Sequence, residues 1–283
     1  MQIVTHNSEL RSIINRWRRQ GDRIAFVPTM GNLHQGHLAL VERARTEADR
    51  VVASIFVNPL QFGPDEDFGA YPRTFEADRL ALEEADADLL YAPGNSEIYP
   101  HGEGVVTQVI VPEISDILCG SIRPGHFVGV TTVVAKLFHL VQPDLAVFGK
   151  KDYQQLIVIR RMVADLNEPV EIIGVDTFRE SDGLAMSSRN SYLSREERSL
   201  APVLFRSLQQ LAERVQAGSR DYGQLESAAL DQITGAGLRP DYVSIRRARD
   251  LAAPHDQDRQ LVALAAVWLG ATRLIDNIEI SYS

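Results

Sequence analysis

The sequence predicts an α/β fold: a parallel sheet covered by helices on both faces, followed by a smaller C-terminal α+β domain. Short apolar, β-prone runs alternate with helical patterns from Ile24 to Val175. Such alternation builds βαβ units, and strands buried on both faces read as continuous apolar runs. After Val175 the texture changes to two helices followed by three strands. A boundary near Thr177 divides the chain into residues 1–176 and 177–283, and 283 residues suffice for two ordinary domains.

In order, Ile24–Val27 reads as a strand, Gly36–Ala48 as an amphipathic helix and Val51–Val57 as a continuous apolar strand. Thr74 is placed to cap a helix through Leu80 and Leu82, and Asp88–Tyr91 returns as a strand. His126–Val141 is a mostly apolar helix closed by Pro143, followed by a strand at Leu145–Phe148, a helix at Gln154–Leu166 and a strand at Val170–Val175. In the second region, Ser194-Arg-Glu-Glu197 fits a capping box opening a helical stripe from Leu200 to Val215, which Pro202 interrupts. Asp221–Ile233 is a further helix, and Tyr242–Ile245, Leu261–Trp268 and Arg273–Ile280 read as an antiparallel sheet.

The composition excludes several classes. A net charge of −9 offers no basic excess for nucleic acid. The single Cys119 forms no internal disulfide, which fits a reducing compartment. The first 20 residues carry four arginines and no apolar segment of a signal peptide. No run approaches the ~18 apolar residues of a membrane span. The expectation is a cytoplasmic, acidic protein.

His34-Gln-Gly-His37 lies between a strand and a helix start, where free N–H groups and the positive helix end hold phosphates. Two histidines three apart share a face, and Gly36 removes a side chain where a ligand approaches. A pair of surface or capping histidines is the plainer reading. Three loops follow strands and should converge on one crevice: Thr29–His37, Asn58–Phe62 and Gly149–Gln155. In the second, Asn58-Pro59 breaks the strand and Gln61 offers an amide, or the segment is a simple turn. The third carries Lys150, Lys151 and Asp152; Asp144 stands where a Walker A loop requires glycine, and a solvated lysine turn is the alternative. Arg123-Pro-Gly-His126 precedes a helix at an anion-friendly position, or is a cap with a solvent-facing arginine. Asp182–Asn190, with Ser187, Ser188 and Arg189, reads as a mobile phosphate clamp or as a linker. Asp65, Glu66 and Asp67 read as a solvated loop, and Asp78 as a contact to a Mg²⁺–phosphate complex. His6, His101, His139 and His255 show no zinc spacing, and no Gly-x-Ser-x-Gly elbow supports a hydrolase.

Taken together, Pro28–His37, Phe56–Phe62, Tyr71-Pro-Arg-Thr74, Arg123–Phe127, Gly149–Gln155 and Met186–Asn190 resemble the motif set of the pantothenate synthetase (pantoate–β-alanine ligase) family, in order and at family spacing. Arg273–Asn277 extends the likeness into the C-terminal region. The resemblance implies a Rossmann-like nucleotidyltransferase sheet and an ATP- and pantoate-binding domain followed by a lid. It also implies a two-step reaction: pantoate attacks the ATP α-phosphate, and β-alanine then attacks the pantoyl adenylate. By resemblance, His34, His37 and Lys151 are catalytic. Met30, Gly31, Asn32, Leu33, His34, Gln35, Gly36, His37, Gly149, Lys150, Lys151, Asp152, Phe178, Met186, Ser187, Ser188 and Arg189 then bind ATP. Gln61, Gln155 and Met30 bind pantoate, Gln61 also meets β-alanine, and Asn58, Arg123 and His126 are further candidates. Mg²⁺ accompanies ATP, and relatives suggest a homodimer through the N-terminal domain. The competing readings are a transferase that nucleotidylates a phosphate, and a non-catalytic nucleotide sensor.

Overall fold

The computed structural model describes residues 1–64 and 66–282, in two compact units. The first comprises Met1–Lys150 and Val158–Asp176; the second comprises Lys151–Ile157 and Thr177 onward. The opening turn of one helix therefore groups with the second unit.

The first unit is built on a six-stranded, all-parallel sheet in the order β1-β4-β3-β2-β5-β6. The strands are β1 (Gln2–Val4), β2 (Ile24–Thr29), β3 (Arg50–Ile55), β4 (Leu89–Tyr91), β5 (Leu145–Gly149) and β6 (Glu171–Val175). Its helices are α1 (Asn7–Gln20), α2 (Gln35–Glu47), α3 (Phe75–Glu84), α4 (Asn95–Ile98), α5 (Cys119–Ile122), α6 (His126–Val141) and most of α7 (Tyr153–Asp165). Ala25, Val27, Val51 and Ala53 pack against Leu40, Val41 and Ala44 of α2 and Leu82 of α3. On the alternate face Phe26 meets Phe138 of α6 edge-on at 6.4 Å. This two-sided burial is what the continuous apolar strands require.

The order of strands fixes where a ligand belongs. From β2 the chain builds outward through β3 to β4, then returns to β5 on the other side of β2. The reversal between β2 and β5 is a topological switch point, where loops leaving the carboxyl ends part and open a crevice.

The second unit has α8 (Arg195–Leu200), α9 (Val203–Gln216) and α10 (Tyr222–Gly235) packed on a three-stranded antiparallel sheet, β7 (Arg239–Arg247), β8 (Gln260–Leu269) and β9 (Thr272–Ser281). Ser194 and Glu197 form the expected reciprocal capping box. Pro202 ends one helix and starts the next, since α8 stops at Leu200 and α9 begins at Val203.

Strand β1 and helix α1 add to the elements expected. Leu10, Ile14 and Trp17 form the buried stripe of α1, and Gly21 closes it in a left-handed conformation. Among the described residues, no helix is long and apolar enough to cross a membrane.

Candidate active site

The loop from β2 to α2 is held by one buried carboxylate. Gly31 (φ +82°) and Asn32 (φ +50°) turn the chain through the left-handed region. A Cβ on Gly31 would also stand 3.0 Å from Asp78 Oδ2 and 3.1 Å from Ile55 Cγ2, so glycine is needed for both conformation and space. Asp78 is 3 % exposed and accepts hydrogen bonds from the N–H groups of Asn32 and Leu33 at 2.8 Å each. Thr74 stands at the N-cap of α3, as expected, but its hydroxyl donates to the same carboxylate at 3.1 Å and makes no capping bond to a helix N–H. Asp78 thus fixes the backbone of this loop. Among the described residues, no group of three or more His, Cys, Asp or Glu side chains could hold a metal ion.

The two histidines do two things at once. His34 is the N-cap of α2, and its Nδ1 accepts from the Gly36 N–H at 3.2 Å. His37 Nδ1 in turn accepts from the His34 N–H at 3.3 Å, completing a capping box. The rings lie 4.1 Å apart, tilted by 39°. A neutral imidazole accepting at Nδ1 carries its proton on Nε2, so the cap assigns both side chains as Nε2–H donors. The capping and phosphate-directed readings are therefore compatible.

Beyond β3, Asn58 is the buried hub of the turn at Pro59–Gln61. Its Nδ2 donates to the Gly129 carbonyl and to Gln61 Oε1, each at 3.1 Å. Its Oδ1 accepts from the Tyr99 hydroxyl at 2.6 Å and from the Leu60 N–H at 3.3 Å. Burial pushes the Tyr99 phenol up, so that hydroxyl remains a donor. Asn58 holds the Gln61 amide by its oxygen and leaves the NH₂ end as the donor. That NH₂ group lies 3.0 Å from Met30 Sδ, so the loops after β2 and β3 meet as expected. β5, the parallel neighbour of β2, carries Gly149 to the same edge.

Arg123 and His126 both make contacts within the protein. The Arg123 guanidinium is bidentate on Glu66, with Nε and Nη2 each at 2.6 Å from a carboxylate oxygen. Burial pushes Glu66 up, but the Arg123 hydrogen bonds and charge override it and hold the carboxyl below its ordinary range. Glu66 is thus paired rather than solvated; its neighbour Asp65 lies outside the described residues. Lys150 pairs with Asp176 at 2.7 Å.

The remaining expected residues belong to the second unit. Asn277 of β9 donates to the Lys151 carbonyl at 2.9 Å, and the Lys151 ammonium is 4.0 Å from Asp152. The segment from Phe178 to Met186 doubles back on itself: Met186 N–H donates to the Phe178 carbonyl at 2.9 Å, and Arg179 bridges Ala185. Leu184 and Ala185 are buried, and Arg198 pairs with Asp182 at 2.7 Å. Ser187 caps the turn Ser188–Tyr192 by accepting from the Arg189 N–H at 3.3 Å. This segment is packed and hydrogen-bonded, unlike a solvated linker. Its brace is Arg179, which is bidentate on the buried Asp276 at 2.7 and 2.8 Å and stacks on Phe205 at 3.7 Å. The roles of Tyr99, Arg179 and Asp276 escaped the sequence reading, because each acts on a residue distant in the chain.

The family model for pantoate–β-alanine ligase matches residues 2–279. The pantothenate synthetase of Thioalkalivibrio sulfidiphilus is 58 % identical over 280 residues, 99 % of this chain and 98 % of that one. That of Pseudomonas fluorescens is also 58 % identical at the same coverage. The crystal structure of the Thermus thermophilus pantothenate synthetase superimposes with a TM-score of 0.93 at 49 % identity, covering 99 % of this chain and 100 % of that one. A Francisella tularensis pantoate–β-alanine ligase, described as complexed with a β,γ-ATP compound and β-alanine, gives 0.82 at 33 % identity, covering 98 % and 97 %. With a six-stranded parallel sheet, a histidine capping box at its switch point and these matches along nearly its whole length, the chain is an enzyme of the pantoate–β-alanine ligase family.

Proposed function

We propose that this chain condenses pantoate with β-alanine at the expense of ATP, through a pantoyl adenylate. A pantoate carboxylate oxygen attacks the α-phosphorus, and the bond to the β-phosphate bridging oxygen breaks to release pyrophosphate. The neutral amine of β-alanine then attacks the acyl carbon, AMP leaves, and the nitrogen gives up a proton to form the amide.

The observation that carries this reading is the paired Nε2–H donors at the N-terminus of α2, set by the histidine capping box. An anion attacking a polyanion needs placement and charge neutralisation more than covalent help. His34 and His37 supply hydrogen bonds to phosphate oxygens as charge builds, and the helix end adds its dipole. The backbone of Met30, Gly31, Asn32, Leu33, Gln35 and Gly36 completes the contribution of the first unit, with Gly149 and Lys150 at the end of β5. From the second unit the reading takes Lys151 for the leaving pyrophosphate and Asp152, Met186, Ser187, Ser188 and Arg189 for ATP. Phe178 serves the adenine or ribose and Gln155 pantoate. Mg²⁺ enters with ATP as part of the substrate. The reading further includes a homodimer formed through the first unit and a cytoplasmic location, supported by the family likeness. Residues 177–283 then serve as the lid.

The neutral Gln61 amide favours an acid-activating enzyme over one that nucleotidylates a phosphate. An arginine would hold the carboxylate more tightly, and would also stabilise the nucleophile in its ground state. Gln61→Arg should therefore bind pantoate at least as well by calorimetry, yet exchange labelled pyrophosphate into ATP about 10–100-fold more slowly. A variant with full exchange activity removes this argument. The overall reaction is tested by product analysis with all three substrates. Pantothenate, AMP and pyrophosphate in equal amounts are expected; ADP and phosphate would contradict the mechanism.

A further inference from the structure

We propose that Glu66, Arg123 and His126 are positioning residues that clamp the main-chain carbonyl of Gln61 and so aim its amide at the acid and amine substrates. The inference rests on the reading of Gln61 as the contact to pantoate and β-alanine. Two side chains converge on this one carbonyl oxygen: His126 Nδ1 at 2.8 Å and Arg123 Nη2 at 3.2 Å. Arg123 Nη1 donates to His126 Nε2 at 3.0 Å, which leaves the imidazole proton on Nδ1, facing the carbonyl. Glu66 holds the other edge of the guanidinium through two 2.6 Å bonds. Each group orients the next.

Local sequence explains how Arg123 and His126 reach the same atom. Pro124 and Gly125 turn the chain, Gly125 at φ +81°, so side chains three apart face the same way as α6 begins. The clamped residue needs the help. Pro59–Gln61 is one 3₁₀ turn, too short to fix its own last residue firmly. The Gln61 side chain is tied through Asn58, and its backbone through the clamp, so both ends of the residue are set. An isolated surface ion pair contributes little to stability. This pair differs, because the remaining guanidinium contacts go to His126 and to the Gln61 carbonyl that His126 also holds.

The test uses the full chain, with ATP, pantoate and β-alanine each titrated in steady-state kinetics and melting temperatures recorded alongside. Glu66→Gln and His126→Phe should raise KM for pantoate and β-alanine about tenfold and leave KM for ATP unchanged. His126→Asn places an amide N–H where Nδ1–H stood and should return both values to near wild type. Parallel rises for all three substrates, unchanged values in both Glu66→Gln and His126→Phe, or no rescue by His126→Asn would overturn the proposal. If His126→Phe does not fold, Glu66→Gln and His126→Asn decide it by the same criteria. Gln61→Ala separates the two layers. If it leaves the pantoate KM unchanged, the underlying reading fails and the clamp with it; if it raises that KM while the clamp variants do not, only the clamp fails.

Discussion

His37→Gln should lower kcat by about 10²–10³-fold while leaving the melting temperature unchanged. The substitution separates the two tasks of this residue. Glutamine is a normal third residue of a capping box, where its side chain reaches back to the N-cap N–H. It can therefore replace His37 Nδ1 as the acceptor from the His34 backbone. With its amide oxygen engaged there, its NH₂ group remains a donor but is displaced from the position of His37 Nε2, so the bond directed at phosphate is lost. Removing one such donor from a site that stabilises developing charge typically costs ~3–4 kcal/mol of transition-state stabilisation. The check is kcat together with a thermal melt. A drop in melting temperature with kcat reduced only a few-fold would make His37 a cap and nothing more.

Arg179→Ala should destabilise the fold by about 3–5 kcal/mol, measured by denaturant unfolding of the full chain. Asp276 has a side chain only 2 % exposed, and Arg179 supplies two hydrogen bonds and the compensating charge. Arg179 also donates to the carbonyls of Gly183 and Asn277, joining the 178–186 segment to β9. Truncation leaves the carboxylate with the Asn277 N–H at 2.7 Å and removes the stack on Phe205. Burial already pushes the Asp276 carboxyl up, with Arg179 pulling against it, so loss of Arg179 raises it further. A carboxyl whose folded pKa exceeds its unfolded value favours folding most when protonated. The deficit of the variant should therefore narrow as pH falls through the raised Asp276 pKa, above the ordinary carboxylate range, and be widest at higher pH. Replacing both partners by apolar residues, Arg179→Met with Asp276→Leu, should recover much of the loss. A single variant within 1 kcal/mol of wild type, by the ~3–5 kcal/mol expected for a broken buried pair, would remove Arg179 as the brace.

Local features were readable in the sequence. The β2 and β5 runs are continuous and apolar because helices cover both their faces. The Ser194–Glu197 box and the break at Pro202 depend on neighbours only, and both are in the structure. β1 has three residues, too few to show a period, and the Leu10–Ile14–Trp17 stripe of α1 is hidden among Arg11, Arg16, Arg18 and Arg19.

The candidate site was legible as a set of strand-following loops, but not in what holds them. Asp78 is separated from the N–H groups it accepts by 45 and 46 residues, Glu66 from Arg123 by 57, and Asp276 from Arg179 by 97. No periodicity links such partners; only tertiary packing does. Asp78 accepts from two N–H groups of the loop after β2, and Arg123 reaches the Gln61 carbonyl and Glu66, contacts that local pattern does not announce.

Under the proposed function, the histidine cap and the Gln61 amide serve activation of pantoate by ATP. This activation is tested most directly by exchange of labelled pyrophosphate into ATP in the absence of β-alanine. Exchange should appear only when pantoate is added, and adding β-alanine to the preformed complex should then release AMP. Exchange without pantoate, or none with it, would contradict the account.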